Sequence, residues 1–238
     1  MEPFEISLGG VKLTCQPRFA QTCAYFSRFR DVSDNANLTA EKPVSVPDAH
    51  WETLRAHEVP ACAASECSEL SLFCSDALLP FDRAVFHSSA LRYHDQAWLL
   101  CGRSGIGKST QTKWLDRLCP DAFSVISGDR PVVELQKDGV IVHPSPWNGK
   151  EDWYGAEAAP LAGLILIERG EENKIEPLTP KKAAFFAFLS VLNSGWEEAF
   201  LFRAASFADR LLRAVPIWKL TSYQVPDSTR LLLSEVFS

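Results

Sequence analysis

Residues 102 to 110 read Gly-Arg-Ser-Gly-Ile-Gly-Lys-Ser-Thr and satisfy the pattern G-x-x-x-x-G-K-[ST]. These residue types suit the holding of a chain of phosphates. Gly102, Gly105 and Gly107 let successive amide N–H groups turn inward around an anion. Lys108 adds a point charge near the β- and γ-phosphates, and Ser109 offers a hydroxyl ligand for magnesium. Ser104, Ile106 and Thr110 complete the stretch expected to touch nucleotide. A helix opening near Lys108 would aim the positive end of its dipole at the same phosphates. Arg103 lies inside the loop, with its side chain expected to point to solvent.

The pattern means this only between a strand and a helix, and the flanking sequence predicts both. Ala97 to Cys101 is a short apolar run, and Ser109 to Leu118 has helical composition closed by Cys119-Pro120. Ahead of it, Val85-Phe86 and Leu91-Arg92-Tyr93 read as strands flanking a bend at His87-Ser88-Ser89. After it, Ser124 to Ile126, Pro131 to Leu135, Val140 to His143 and Leu161 to Glu168 read as strands, with a turn at Lys137-Asp138-Gly139. Pro180 opens a helix to about Leu192, in which Phe185, Phe186, Phe188 and Leu189 are expected in the core. A second helix covers about 196 to 214, followed by a strand at Ile217 to Leu220 and a helix from Ser228 to Val236. Residues 4 to 15 read as a hairpin turning at Gly9-Gly10. Residues 31 to 49 read as loop with room for one edge strand, and Ser68 to Leu79 as a helix ended by Pro80. Residues 1–80 are thus expected to form a small N-terminal α+β lobe, and residues 81–238 a nucleotide-binding domain.

Bulk properties narrow the class. Of 238 residues, 46% are hydrophobic and 23% charged, the balance of a globular chain with a sizeable core. A formal net charge of −6 argues against a surface that coats nucleic acid. The seven cysteines form no CxxC pair, so neither a zinc ribbon nor a redox motif is expected, and buried thiols in a reducing cytoplasm are. Met1 to Gly10 carries no signal pattern. No apolar run approaches the ~18 residues of a membrane span. No membrane partner follows.

The loop resembles that of the HPr kinase/phosphorylase family, whose members share a core with phosphoenolpyruvate carboxykinases. The resemblance covers roughly residues 81 to 225 and is carried further by three segments. Phe86-His87-Ser88-Ser89-Ala90 stands where the family carries an active-site histidine ahead of its loop. Ser127-Gly128-Asp129-Arg130-Pro131-Val132 resembles the family's Asp-Asp-Arg segment. His143 to Lys150, with Pro146-Trp147-Asn148-Gly149-Lys150, resembles a Pro-Trp-x-Gly-Lys element of HPr-kinase-like proteins, including those of peptide-modifying gene neighbourhoods. The first lobe does not resemble the N-terminal domain of the bacterial HPr kinases. The fold implied is α/β, with a central mixed sheet around a phosphate loop (P-loop) and a small N-terminal α+β lobe.

The resemblance also implies roles. Lys108 and the loop amides would hold ATP, and Ser109 and Asp129 would hold Mg2+. His87 or Asp129 would orient or deprotonate the acceptor, His87 being alternatively a residue that shapes the bend. Arg130 would offset charge on the transferred phosphoryl group or pair with a local carboxylate. Lys150 would reach the γ-phosphate or substrate, or stand in solvent. Trp147 is expected to pack its loop rather than stack a base, and His94 and His143 to be structural or exposed. One position departs from the family: Gly128 stands where the first of two adjacent aspartates belongs, leaving only Asp129. The expected activity is ATP-dependent transfer of the γ-phosphoryl group to a serine-type hydroxyl on a protein or peptide, such as a ribosomally made precursor peptide. A small-molecule kinase and a nucleotide-binding regulatory module without turnover are the alternatives. The resemblance further implies homo-oligomers.

Overall fold

Three segments that the sequence scatters are brought together at one end of a sheet by strand direction. The computed structural model describes residues 2–30, 37–151, 153, 155, 157–195 and 197–237. The hairpin β1 (Phe4–Leu8) and β2 (Val11–Cys15) turns at Gly9-Gly10, both at positive φ, and β3 (Leu38–Thr39) adds a parallel edge to β2. The short helix α1 (Thr22–Tyr25) and the helix α2 (Asp48–Ala56) form where no helix is expected from residue pattern. Residues 31–36 of the expected loop, and Trp196 at the start of the helix expected over about 196 to 214, lie outside the described residues. Helix α3 (Ala63–Leu78) starts a turn earlier than its apolar pattern suggests. Pro80 sits inside a following 3-10 turn, Leu79–Phe81, where its missing N–H costs little.

Then follow β4 (Arg83–Val85), β5 (Ser88–Tyr93), β6 (Gln96–Cys101), α4 (Lys108–Leu118), β7 (Phe123–Ser127), β8 (Val132–Gln136), β9 (Gly139–His143), β10 (Ala159–Arg169) and β11 (Lys174–Pro177). The chain ends with α5 (Pro180–Ser190), α6 (Glu198–Ala214), β12 (Ile217–Ser222) and α7 (Val225–Glu235). Among the described residues these strands make a mixed nine-stranded sheet, running β4-β8-β9-β10-β6-β5-β7, with β12 against β10 and β11 against β12. The expected mixed α/β architecture and the separate small N-terminal sheet are both present. The bend expected at His87-Ser88-Ser89 is narrower than that, because Ser88 and Ser89 pair with Cys101 and Leu100 and so belong to β5.

Register explains the convergence. β6 runs parallel to β10, and β10 parallel to β12. Antiparallel β5 starts where β6 ends, with Ser88 opposite Cys101, so the residue just before β5 lies beside the loop just after β6. β7 is antiparallel to β5 and ends with Ser127 opposite Ala90, which delivers residues 128 and 129 to the same place. β9 ends opposite the start of β8, with His143 opposite Val132, and so brings the following loop alongside. Crevices outside the carboxyl ends of parallel strands are where α/β sheets commonly receive ligands.

One apolar face is occupied differently from expectation. Phe185 is 74% exposed and Leu189 is 52% exposed, so neither belongs to the core, while Phe186 and Phe188 pack partly against it. Helix α5 instead seats its small residues, Ala183, Ala187 and Ser190, which share one face at i, i+4 and i+7 and let α6 approach closely. The seven thiols are all unpaired and are buried or half-buried. Among the described residues no helix is long and apolar enough to cross a membrane.

Candidate functional site

The glycine-rich loop leaves the buried end of β6 and turns into α4. Gly102, Gly105 and Gly107 have φ of 147°, 74° and 118°, values that L side chains rarely adopt, and Gly107 is the residue before the first helical turn. Lys108 folds back over the loop, its Nζ donating to the Gly102 carbonyl at 2.9 Å. The arrangement leaves the loop backbone curled around a hollow with an ammonium at its base. Gly102 and Ile106 shape the turn from behind: a side chain on Gly102 would meet the Ile106 methyl at 2.9 Å, and Ile106 packs on the apolar cluster beneath.

The hollow is a cleft of about 380 Å³, lined by Ser104, Gly105, Gly107, Lys108, Ser109 and Thr110 on one side and by His87, Ser89, Gly128, Asp129 and the 148–151 segment on the other. Of the expected site residues, His87, Asp129, Lys108, Lys150, Ser104, Gly105, Gly107, Ser109 and Thr110 line it. Arg130 does not. Its guanidinium turns toward α3, donating to the Ser71 hydroxyl at 2.6 Å and the Ser68 carbonyl at 3.0 Å, with Nε 3.3 Å from the Asp129 carboxylate. Of its two expected roles, the local carboxylate pair is the one this geometry provides.

Asp129 is held from several directions. The Ser88 N–H donates to its carbonyl at 2.9 Å, and the Arg130 N–H donates to the Trp147 carbonyl at 3.1 Å. Ser89 donates its hydroxyl to the Gly128 carbonyl at 2.8 Å. Trp147 is buried, edge-on to Phe26, and its indole N–H donates to the Cys67 carbonyl at 2.7 Å, so it packs the loop as expected. A side chain at Gly128 would lie 2.3 Å from the Asn148 carbonyl oxygen. Glycine is therefore the residue type that fits at position 128: the Asn148 backbone occupies the space that a side chain would need.

His87 Nε2 lies 3.6 Å from Asp129 Oδ1. Burial, reinforced by the Lys108 charge, holds the imidazole below its ordinary 6.5 against the opposing pull of Asp129, so it is neutral at neutral pH and able to accept a proton. Burial also lowers the Lys108 ammonium, partly offset by Asp129. The donor set of one hydroxyl, Ser109, and one carboxylate, Asp129, suits a hard cation that takes its remaining oxygens from phosphate and water. Sequence reasoning did not single out Ser89, Asn148 or Glu151. Glu151 lines the cleft and pairs with Lys113 at 2.7 Å, a contact that a helix residue and a distant loop residue do not advertise.

A larger hollow of about 610 Å³ lies beyond, between Thr112 and Asp116 of α4, β7 and Trp153. Its Arg92 is already paired with Glu157 at 2.9 Å, so the convergent polar groups belong to the smaller cleft.

No protein-family model matches the chain, and no curated protein matches it. Among solved structures, the Hpr(Ser) kinase/phosphatase from Coxiella burnetii is similar over 63% of this chain and 93% of that chain, at 14% identity and a TM-score of 0.38. So loose a likeness supports no argument about activity.

Proposed function

We propose that the protein is an ATP-dependent kinase that transfers the γ-phosphoryl group to a serine-type hydroxyl on a protein or peptide. The observation that carries this reading is the meeting, in one cleft, of the glycine-rich loop with His87 and Asp129, which lie on separate strand ends. The loop amides, Lys108 and the start of α4 hold the triphosphate. Ser109 and Asp129 would hold magnesium, which when bound neutralises charge on the β- and γ-oxygens. The acceptor oxygen attacks the γ-phosphorus as its proton passes to neutral His87, and the bond to the β–γ bridging oxygen breaks to release ADP. Asp129 steadies the resulting imidazolium. Catalysis then rests on positioning and on charge stabilisation.

One observation favours a second reading, a nucleotide-binding module without turnover: the position of a second carboxylate is filled by Asn148. Transfer of label from [γ-32P]ATP, set beside binding of the same nucleotide, separates the two. The kinase reading expects transfer that disappears in Lys108→Ala. Tight binding with no transfer to any serine-containing acceptor favours the module instead.

A further inference from the structure

A second hollow, about 290 Å³, stands on the far side of Asp129. Its walls are Tyr25, Ala64 and Ser68 from the N-terminal region and Arg130, Asn148 and Gly149 from the sheet side. Asp129, Asn148 and Gly149 line both this groove and the cleft, so the two spaces adjoin at these residues. Gly149 packs so closely that a side chain there would meet the Asp129 Cβ at 3.2 Å.

The groove is built rather than incidental. Buried Glu66 accepts hydrogen bonds from the Arg18 N–H at 2.5 Å, the Phe19 N–H at 3.1 Å and the Thr22 hydroxyl at 2.5 Å, which fixes α1, and with it Tyr25, against α3. Arg130 and Trp147 in turn tie α3 to the Asp129 segment. The N-terminal region is thereby held at a set distance from the cleft.

We propose that this groove is the acceptor subsite, and that the N-terminal region exists to form it around a serine in an extended, uncharged peptide segment. The inference rests on the kinase reading above. In-line transfer requires the attacking oxygen opposite the leaving one, which means on the side of the γ-phosphorus away from the glycine loop. Asp129 and Asn148, which line the cleft together with the glycine loop, also line the groove, so an oxygen reaching past them approaches from that side. The charges in its walls, Arg130 and Asp129, neutralise each other, so it selects no charged flank. Its volume is at the lower limit of the roughly 300–1,000 Å³ of pockets that enclose whole drug-sized ligands. Ala64 and Ser68 of α3 form one wall, which suits a short stretch of extended chain lying against that helix. Balance is kept by the nucleotide: the serine O–P bond forms, the bridging O–P bond of ATP breaks, the proton goes to His87 and ADP departs.

The test uses the full chain, [γ-32P]ATP with magnesium, and three probes: a nonapeptide library with a central serine and neutral flanks, free L-serine, and glycerol. Ala64 and Tyr25 are exposed and lie outside the nucleotide cleft, so Ala64→Trp fills the groove and Tyr25→Ala widens it without burying strain. The wild type is expected to label the peptides. Ala64→Trp should lower kcat/KM for them by about tenfold or more through KM, and Tyr25→Ala by less, with Tm and MgATP affinity unchanged. Undiminished peptide labelling by Ala64→Trp overturns the proposal. Labelling of L-serine or glycerol but not peptide overturns it, whereas MgATP binding with no labelling of any probe overturns the kinase reading, and the groove with it. A wild type that does not bind MgATP overturns the kinase reading itself, and the groove with it.

Discussion

The two sides of the cleft are built by opposite means. The glycine loop and α4 come from one unbroken stretch of chain, and their shape follows from three positive-φ glycines and a helix start. The Asp129 side is assembled from the starts and ends of four strands, a hydroxyl from β5, and a loop pinned by Trp147 to a helix eighty residues away in sequence. A local structure tolerates change in its neighbours, whereas one made of long-range contacts transmits it. The first side should behave as a module and the second as a keystone.

Breaking the keystone should have the largest consequence. Asp129→Asn removes the carboxylate that faces His87 and would hold magnesium, and should lower phosphoryl transfer by about 100-fold or more while leaving Tm little changed, as read by rate and by thermal melt. Gly128 offers a sharper comparison. Gly128→Asp would set a second carboxylate beside Asp129, yet its side chain meets the Asn148 backbone. We expect a loss of about 3 kcal/mol in chemical denaturation and no gain in activity. On the modular side Gly105 has open space but a φ of 74°, so Gly105→Ala should cost only about 1–2 kcal/mol, all of it backbone strain.

Smaller effects separate the regions by pH. His87 and His143 are both held below 6.5, first by burial; at His143 the Glu134 contact at 2.7 Å opposes the shift. As pH falls below 6.5 the unfolded chain takes up these protons before the folded one. Stability is therefore complete above that value and declines as pH drops toward the lowered folded values. Urea midpoints from pH 7.5 to 5 should show the decline, and His143→Gln should flatten part of it. The smallest effect is expected at Phe185: being mostly exposed, Phe185→Ser should stay within about 0.5 kcal/mol of wild type.

What the sequence made legible follows the same division. The loop, its strand and its helix could be read from a single window, because glycine spacing and apolar periodicity are local signals. The strand assignments were largely legible for the same reason. That Ser89 buttresses Gly128, that Glu151 enters the cleft, and that Arg130 turns to Ser68 and Ser71 depend on which strand ends meet, and no local pattern encodes that. The α5 face misled because phenylalanine at helical spacing reads as core, whereas close helix packing there is made by alanine and serine. Gly128 read as a missing aspartate in the sequence; in the fold it is the residue required by the Asn148 backbone.

The most direct test of a cleft made from these two halves is calorimetric titration of ATP, with and without magnesium, into wild type, Lys108→Ala and Asp129→Asn. The expected result is that Lys108→Ala loses about tenfold or more in affinity under both conditions, and Asp129→Asn loses affinity only when magnesium is present. Lys108→Ala binding MgATP as tightly as wild type would contradict it.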